Sequence, residues 1–165
     1  MTEQSSTPTE IKSPSYKKTG SAKARNSSAR LFAVQAIYQS LQLQKRPMAL
    51  VDEYLSHNVG MDLSQDGDVS EMVSPDETLF KSIMAGVDGR RDELEMFIKP
   101  HLPNFDDKEM LLKSILLCGA YEILSHTDLD RALVISEYLH IAKAFFDGAE
   151  SKLVNAVLDK IGAGN

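Results

Sequence analysis

Between Asp106 and Ser125 apolar residues fall on nearly every side of a helix: Leu111, Leu112, Ile115, Leu116, Leu117, Cys118, Gly119, Ala120, Tyr121, Ile123 and Leu124. A helix that is apolar all round is surrounded by other elements, whereas a surface helix shows one apolar stripe. The stretch is interrupted by Lys113, Ser114 and Glu122, and a membrane span needs about 20 consecutive apolar residues. It is therefore expected to be the central core helix of a folded domain. The rest of the chain must supply the faces that cover it.

Those faces are legible as helices. Ser27 or Ser28 is expected to cap a first helix, whose stripe is Leu31, Val34, Tyr38 and Leu41. Pro47 suits a first helical turn and opens a second helix with Leu50, Val51, Tyr54 and Leu55, ending before Gly60. Residues 58–73 are acidic and polar, with Gly60 and Gly67 among them, and read as a mobile loop. Ser74-Pro75-Asp76-Glu77 has the pattern of a capping box with a proline at the first helical position. It precedes the stripe Leu79, Phe80, Ile83, Met84 and Val87, and a further segment carries Leu94, Phe97 and Ile98.

After the central helix, residues 125–128 supply a turn and cap for a helix reaching about Phe146, with Ile135, Leu139, Ala142 and Phe146 on one face and Tyr138, Ile141 and Phe145 widening it. The last helix bears Leu153, Val154, Val157, Leu158 and Ile161 and is expected to stop at Gly162. No run alternates with the period of two that a strand requires. The chain is expected to be all-α with about seven helices. At 165 residues it suits one domain, since a chain of that size buries roughly 68–70% of its unfolded surface.

Charge divides the chain. Residues 1–30 hold six basic side chains, Lys12, Lys17, Lys18, Lys23, Arg25 and Arg30, against Glu3 and Glu10, a net of +4. The whole chain carries −6, so the remainder carries −10. Residues 1–26 are rich in Ser, Thr, Pro and Lys and are expected to form a disordered basic arm, with a single helical domain over 27–162. A basic arm on an acidic body fits a nucleic-acid contact confined to one end, although solvated tails of this composition are equally common.

Catalytic and metal chemistry find no pattern here. Gly86 and Gly89 lack the lysine and hydroxyl residue that a phosphate loop requires. His57, His101, His126 and His140 are scattered, with no companion cysteines. His140 lies three residues after Glu137, a spacing that reads as an exposed helical pair. Cys118 sits in the most apolar stretch, where a thiol is packing material. No catalytic residue, metal ligand or cofactor is expected. A lone cysteine forms no internal disulfide, no apolar leader is visible, and acidic residues near the start argue against a transit peptide, so a cytoplasmic location without a membrane is expected.

Three blocks carry a family resemblance: Ala29-Arg30 with Ala33-Val34-Gln35-Ala36-Ile37-Tyr38; Gly119-Ala120-Tyr121-Glu122-Ile123-Leu124; and Ala142-Lys143-Ala144-Phe145 with residues 152–160, Lys-Leu-Val-Asn-Ala-Val-Leu-Asp-Lys. In this order and spacing, over about residues 26–161, they resemble the bacterial NusB antitermination proteins. The resemblance implies two three-helix bundles and a non-enzymatic adaptor that binds the boxA element of nascent ribosomal RNA transcripts. Its implied partner is a small-subunit ribosomal protein, NusE, with other antitermination factors and RNA polymerase engaged indirectly. RNA binding by the adaptor alone is expected to be weak and to be strengthened by that partner.

Carried onto this chain, the resemblance implies RNA contact at Arg30, the last basic residue of the family's arginine-rich motif, and at Tyr38, Phe145 and Lys152. For Phe145 a core position is equally expected. Where the family has consecutive arginines this chain has Asn26-Ser27-Ser28, which moves positive charge back to Lys17, Lys18, Lys23 and Arg25, and these complete the expected RNA-binding set. Two alternatives remain: a self-associating structural module, and the NusB-like domain of an rRNA methyltransferase, ranked lower because no catalytic domain follows. Monomer and homodimer are both left open.

Overall fold

In a computed structural model, residues 20–56 and 73–163 are described. The loop expected over residues 58–73 lies outside them except for Val73, as do Lys17 and Lys18. Among the described residues there are six α-helices: α1 (Ala22–Leu43), α2 (Val51–Ser56), α3 (Glu77–Ile98), α4 (Met110–Ser125), α5 (Arg131–Phe145) and α6 (Gly148–Ala163). Short 3-10 turns at Pro47–Leu50 and Phe105–Asp107 lead into α2 and towards α4. Among the described residues there is no strand, and no helix is long and apolar enough to cross a membrane.

The apolar circumference of the central helix has a topological cause. Helices α1, α3 and α4 pack on one another, and so do α4, α5 and α6. Two three-helix groups thus share α4, which is covered from both sides, and every residue from Ser114 to Ile123 is buried.

Against the expected count of about seven, the described residues hold six, because the two segments read between residues 75 and 98 are one helix. At Arg90 the backbone leaves helical geometry (φ −121°, ψ 20°) and the helix kinks without ending. There the guanidinium hydrogen-bonds Glu93, three residues on, at 2.9 Å, and the Ser125 hydroxyl at the end of α4.

Helix starts differ from the expected ones in an instructive way. Helix α1 begins at Ala22 with Ser21 as its cap, whose hydroxyl accepts from Ala24 N–H at 3.1 Å. Ser27 and Ser28 are inside the helix and bond outward. The Ser28 hydroxyl donates to the Val73 carbonyl (2.8 Å), and Ser27 reaches Glu137 of α5 (2.9 Å). Lys23 and Arg25, expected in a disordered arm, therefore stand in the first turns of α1. Of the expected α1 stripe Val34 is buried, whereas Leu31, Tyr38 and Leu41 are half-buried, and Ala29, Phe32, Ala33, Ala36, Ile37 and Ser40 join Val34 in the core. The alanines among them are small enough to let neighbouring helices approach closely.

Asp76 caps α3, taking the place expected of Ser74, and its carboxylate accepts from Leu79 N–H at 2.8 Å. Its own N–H donates to the Arg25 carbonyl at 3.0 Å, which ties the start of α3 to the start of α1. Asp76→Ala is expected to lower stability by about 1 kcal/mol, the usual cost of losing a cap, read as a lower urea midpoint with an unchanged slope. Asp130 caps α5, two residues past the expected turn, and α6 continues through Gly162.

Candidate nucleic-acid interface

Gln35, Tyr38, Gln39 and Gln42 recur at i, i+3, i+4 and i+7 on α1 and so share one face. With Leu43, Tyr54 of α2, Leu111 of α4 and Phe145 of α5 they line an open groove of about 460 Å³. Phe145 is 41% exposed, which decides between the two positions expected for it: it stands at the surface, not in the core. Tyr38 is half-buried, and its hydroxyl accepts from Gln42 Nε2 at 2.9 Å. Beneath them Tyr54 is fixed, donating to Gln39 Oε1 at 2.7 Å and stacking near Phe80 with ring centroids 6.2 Å apart.

The chemistry of this groove is aromatic faces beside amide groups, with no charged side chain in its lining. Exposed aromatic rings accept stacked bases, and glutamine amides both donate and accept at base edges. The glutamines and Leu111 were missed in the sequence, where exposed amides on a helix carry no signal by themselves. Their common spacing with Tyr38 is the signal that finds them.

Arg30 requires a correction. Expected to offer its guanidinium to a phosphate, it is inside the protein, with 4% of its side chain exposed. Its Nε and Nη2 donate to the two carboxylate oxygens of Glu122 on α4 at 2.7 and 3.1 Å. Nη1 lies 3.7 Å from Glu137 of α5. Tyr138 donates to Glu122 at 2.6 Å, and Ser27 donates to Glu137. Burial lowers the Arg30 pKa, but the hydrogen bond and charge of Glu122 outweigh it and the net direction is upward. Burial, then the Glu122 charge, pushes the Tyr138 hydroxyl and the Cys118 thiol well above their ordinary values. The cluster is a structural joint between α1, α4 and α5. Glu122 reads in the sequence as an interruption of an apolar run; only its partners, distant along the chain, explain it.

Glu137 is likewise not paired with His140, as its spacing had implied. It turns inward to Ser27 and Arg30, while His140 Nδ1 meets its own helix at the Ser136 carbonyl, 3.0 Å away. The remaining expected contacts are dispersed. Lys23 is exposed in the first turn of α1, Arg25 is half-buried where its carbonyl receives Asp76, and Lys152 is exposed on α6 outside the groove lining. Among the described residues, no three His, Cys, Asp or Glu side chains are placed to hold a metal ion.

Comparison with known proteins agrees with this architecture. The sequence model of the NusB family matches residues 27–163. A transcription antitermination protein NusB of Novosphingobium aromaticivorans is 39% identical over 147 residues, covering 86% of this chain and 94% of its own length. One of Rhizobium rhizogenes is 39% identical over 136 residues, covering 81% of this chain and 82% of its own. A solved structure of T. maritima NusB superposes with a TM-score of 0.68 at 19% identity, over 85% of this chain and 92% of that one; at that identity it speaks for the fold. On the extent of the family match and the identity to these relatives, the chain belongs to the NusB family.

Proposed function

We propose that this protein is a transcription antitermination factor that binds the boxA element of nascent ribosomal RNA transcripts together with the ribosomal protein NusE. The observation that carries the reading is the groove whose lining combines Tyr38 and Phe145 with Gln35, Gln39 and Gln42. Single-stranded RNA is recognised by stacking its bases on aromatic rings and hydrogen-bonding their edges, and the groove offers both. Lys23 and Arg25 lie on the same helix as Tyr38, so basic charge continues from the groove's helix into the arm. Arg30 acts in this scheme from within, by holding the first turns of α1 against α4 and α5.

The test is binding of purified protein to boxA RNA and to a scrambled control, each with and without NusE, at physiological salt. Preferential boxA binding that tightens with NusE is the expected result. Equal weak binding to both RNAs regardless of partner would reduce the arm to a general electrostatic tail. Tyr38→Ala and Phe145→Ala are each expected to weaken boxA binding by about 1–3 kcal/mol, the range for one stacked base, or roughly 5- to 150-fold. If Lys17, Lys18, Lys23, Arg25 and Lys152 each meet one phosphate, log affinity falls against log salt with a slope of about −3.5, at roughly −0.7 per contact on a single strand.

A further inference from the structure

A second cavity, of about 470 Å³, opens where the end of α1, the Pro47–Leu50 turn, α3 and the start of α4 meet. Its lining brings together Lys45, Arg46, Arg91 and Lys113 with a single carboxylate, Asp88. That acid is already satisfied: it accepts from Met48 N–H at 2.9 Å and from Arg46 Nε at 3.0 Å. Burial pushes the Asp88 carboxyl up, but these two partners outweigh it and hold it below the ordinary aspartate range. Arg91 pairs through Nε with Glu95 at 3.0 Å. Lys113 donates to the Asp106 carbonyl at 3.3 Å, and Lys45 meets no carboxylate within ion-pair distance among the described residues. Among the described residues, two ammonium groups are thus left without a compensating charge in one concavity.

This is unexpected in a body whose net charge beyond residue 30 is −10. The smaller cavity beside α6, of about 210 Å³, has Lys108 against Glu109 and Glu150, and the aromatic groove has no charged lining. A concave surface of one sign concentrates its potential and raises the local population of an oppositely charged ligand. The place of the cavity also matters. Leu41 and Met110 line it, and their sequence neighbours Gln42 and Leu111 line the aromatic groove, so the two openings flank the same end of α1 and the same start of α4.

We propose that this cavity is a phosphate-binding site whose phosphate belongs to the backbone of the RNA held in the aromatic groove. The source assignment rests on the RNA reading above; the chemistry of the site does not. Ammonium and guanidinium groups suit phosphate oxygens, with Lys45 and Lys113 acting as point charges and Arg91 offering its outer nitrogens. A free nucleotide or polyphosphate would satisfy the same groups.

The test compares the full chain with its Lys45→Ala/Lys113→Ala variant, in which Arg46 still neutralises Asp88 and circular dichroism checks the fold. Backbone amide shifts of residues 45, 46 and 113 are followed during titration with inorganic tripolyphosphate, and RNA affinity is measured across a salt series. Saturating shifts that vanish in the variant, with a salt slope smaller by about 1.4, or two contacts at roughly 0.7 each, are expected. That loss should be equal for boxA and scrambled RNA, as phosphate contacts carry no sequence information. Tripolyphosphate binding with unchanged RNA affinity would keep the phosphate site and overturn the RNA source. If the native chain binds no RNA, the function proposed above fails and the tripolyphosphate titration alone decides the cavity. No tripolyphosphate response overturns the site, as does a variant that loses only NusE binding, which would assign the cavity to a protein partner.

Discussion

Glu122→Ala is expected to cost about 3–5 kcal/mol, the range for breaking a buried ion pair by removing one partner. Against a total stability of roughly 5–15 kcal/mol, that loss leaves the fold marginal. The Arg30 guanidinium stays charged and would be left poorly compensated, since Glu137 at 3.7 Å is a poor substitute for two direct hydrogen bonds. Tyr138 would lose the acceptor of its hydroxyl in a fully buried site. The informative comparison is a variant that removes the three buried partners together, Arg30→Met/Glu122→Leu/Tyr138→Phe, and leaves Glu137 with its Ser27 hydrogen bond. Replacing a buried ionic cluster by apolar groups of similar volume is often neutral or stabilising, so most of the lost stability should return. Urea unfolding followed by circular dichroism reads both. A triple variant as unstable as Glu122→Ala would show that the damage lies in packing and not in a stranded charge.

The second large effect is expected at Gly86, on the face of α3 that meets α4. A Cβ there would lie inside the contact distance of the Tyr121 ring. The ring cannot swing aside freely, because its hydroxyl is bonded to Ser82 at 2.8 Å and its edge packs against His126 with centroids 5.3 Å apart. Alanine gains about 1 kcal/mol over glycine in helix propensity, and overpacking costs about 1–3 kcal/mol, occasionally more. The clash is expected to win, so Gly86→Ala loses stability. Gly89, one turn on, has open space where its Cβ would be; Gly89→Ala should therefore gain up to about 1 kcal/mol. Opposite signs from one substitution three residues apart are the result to look for in thermal unfolding. Gly86→Ala/Tyr121→Leu should recover part of the loss.

How much of this could be read from the chain follows from which interactions are local. The helices α1, α3, α5 and α6 and the buried centre of α4 are written in apolar spacing, which needs no knowledge of neighbours. Tyr38 and Phe145 came from resemblance, and their convergence in one groove came only with the fold. Caps slid because several residues near each start were chemically able to serve; Ser21, Asp76 and Asp130 prevailed where backbone geometry put an oxygen before a free N–H. The role of Arg30 was illegible for a different reason. A cation at a helix start looks solvated until a carboxylate 92 residues away is placed beside it. Gly86, which reads as a weak spot in a helix, is explained by a ring that belongs to another helix.

The sharing of α4 between the two helix groups bears on the order of events during synthesis. Helices α1 and α3 can pair early, but the surface they jointly cover belongs to a segment that ends at Ser125. Arg30 waits 92 residues for Glu122, which at about 5–20 residues per second of translation is on the order of ten seconds. Over that interval the face of α1 destined for α4, joined by that of α3 once residues 77–98 are made, is open to other contacts beside the ribosome. Once α4 has emerged, α5 and α6 follow within 38 residues and close the other side through contacts near in sequence. The nascent chain thus passes from exposed to nearly complete over a short final stretch, and the centre of the protein acts as the late keystone of its own assembly.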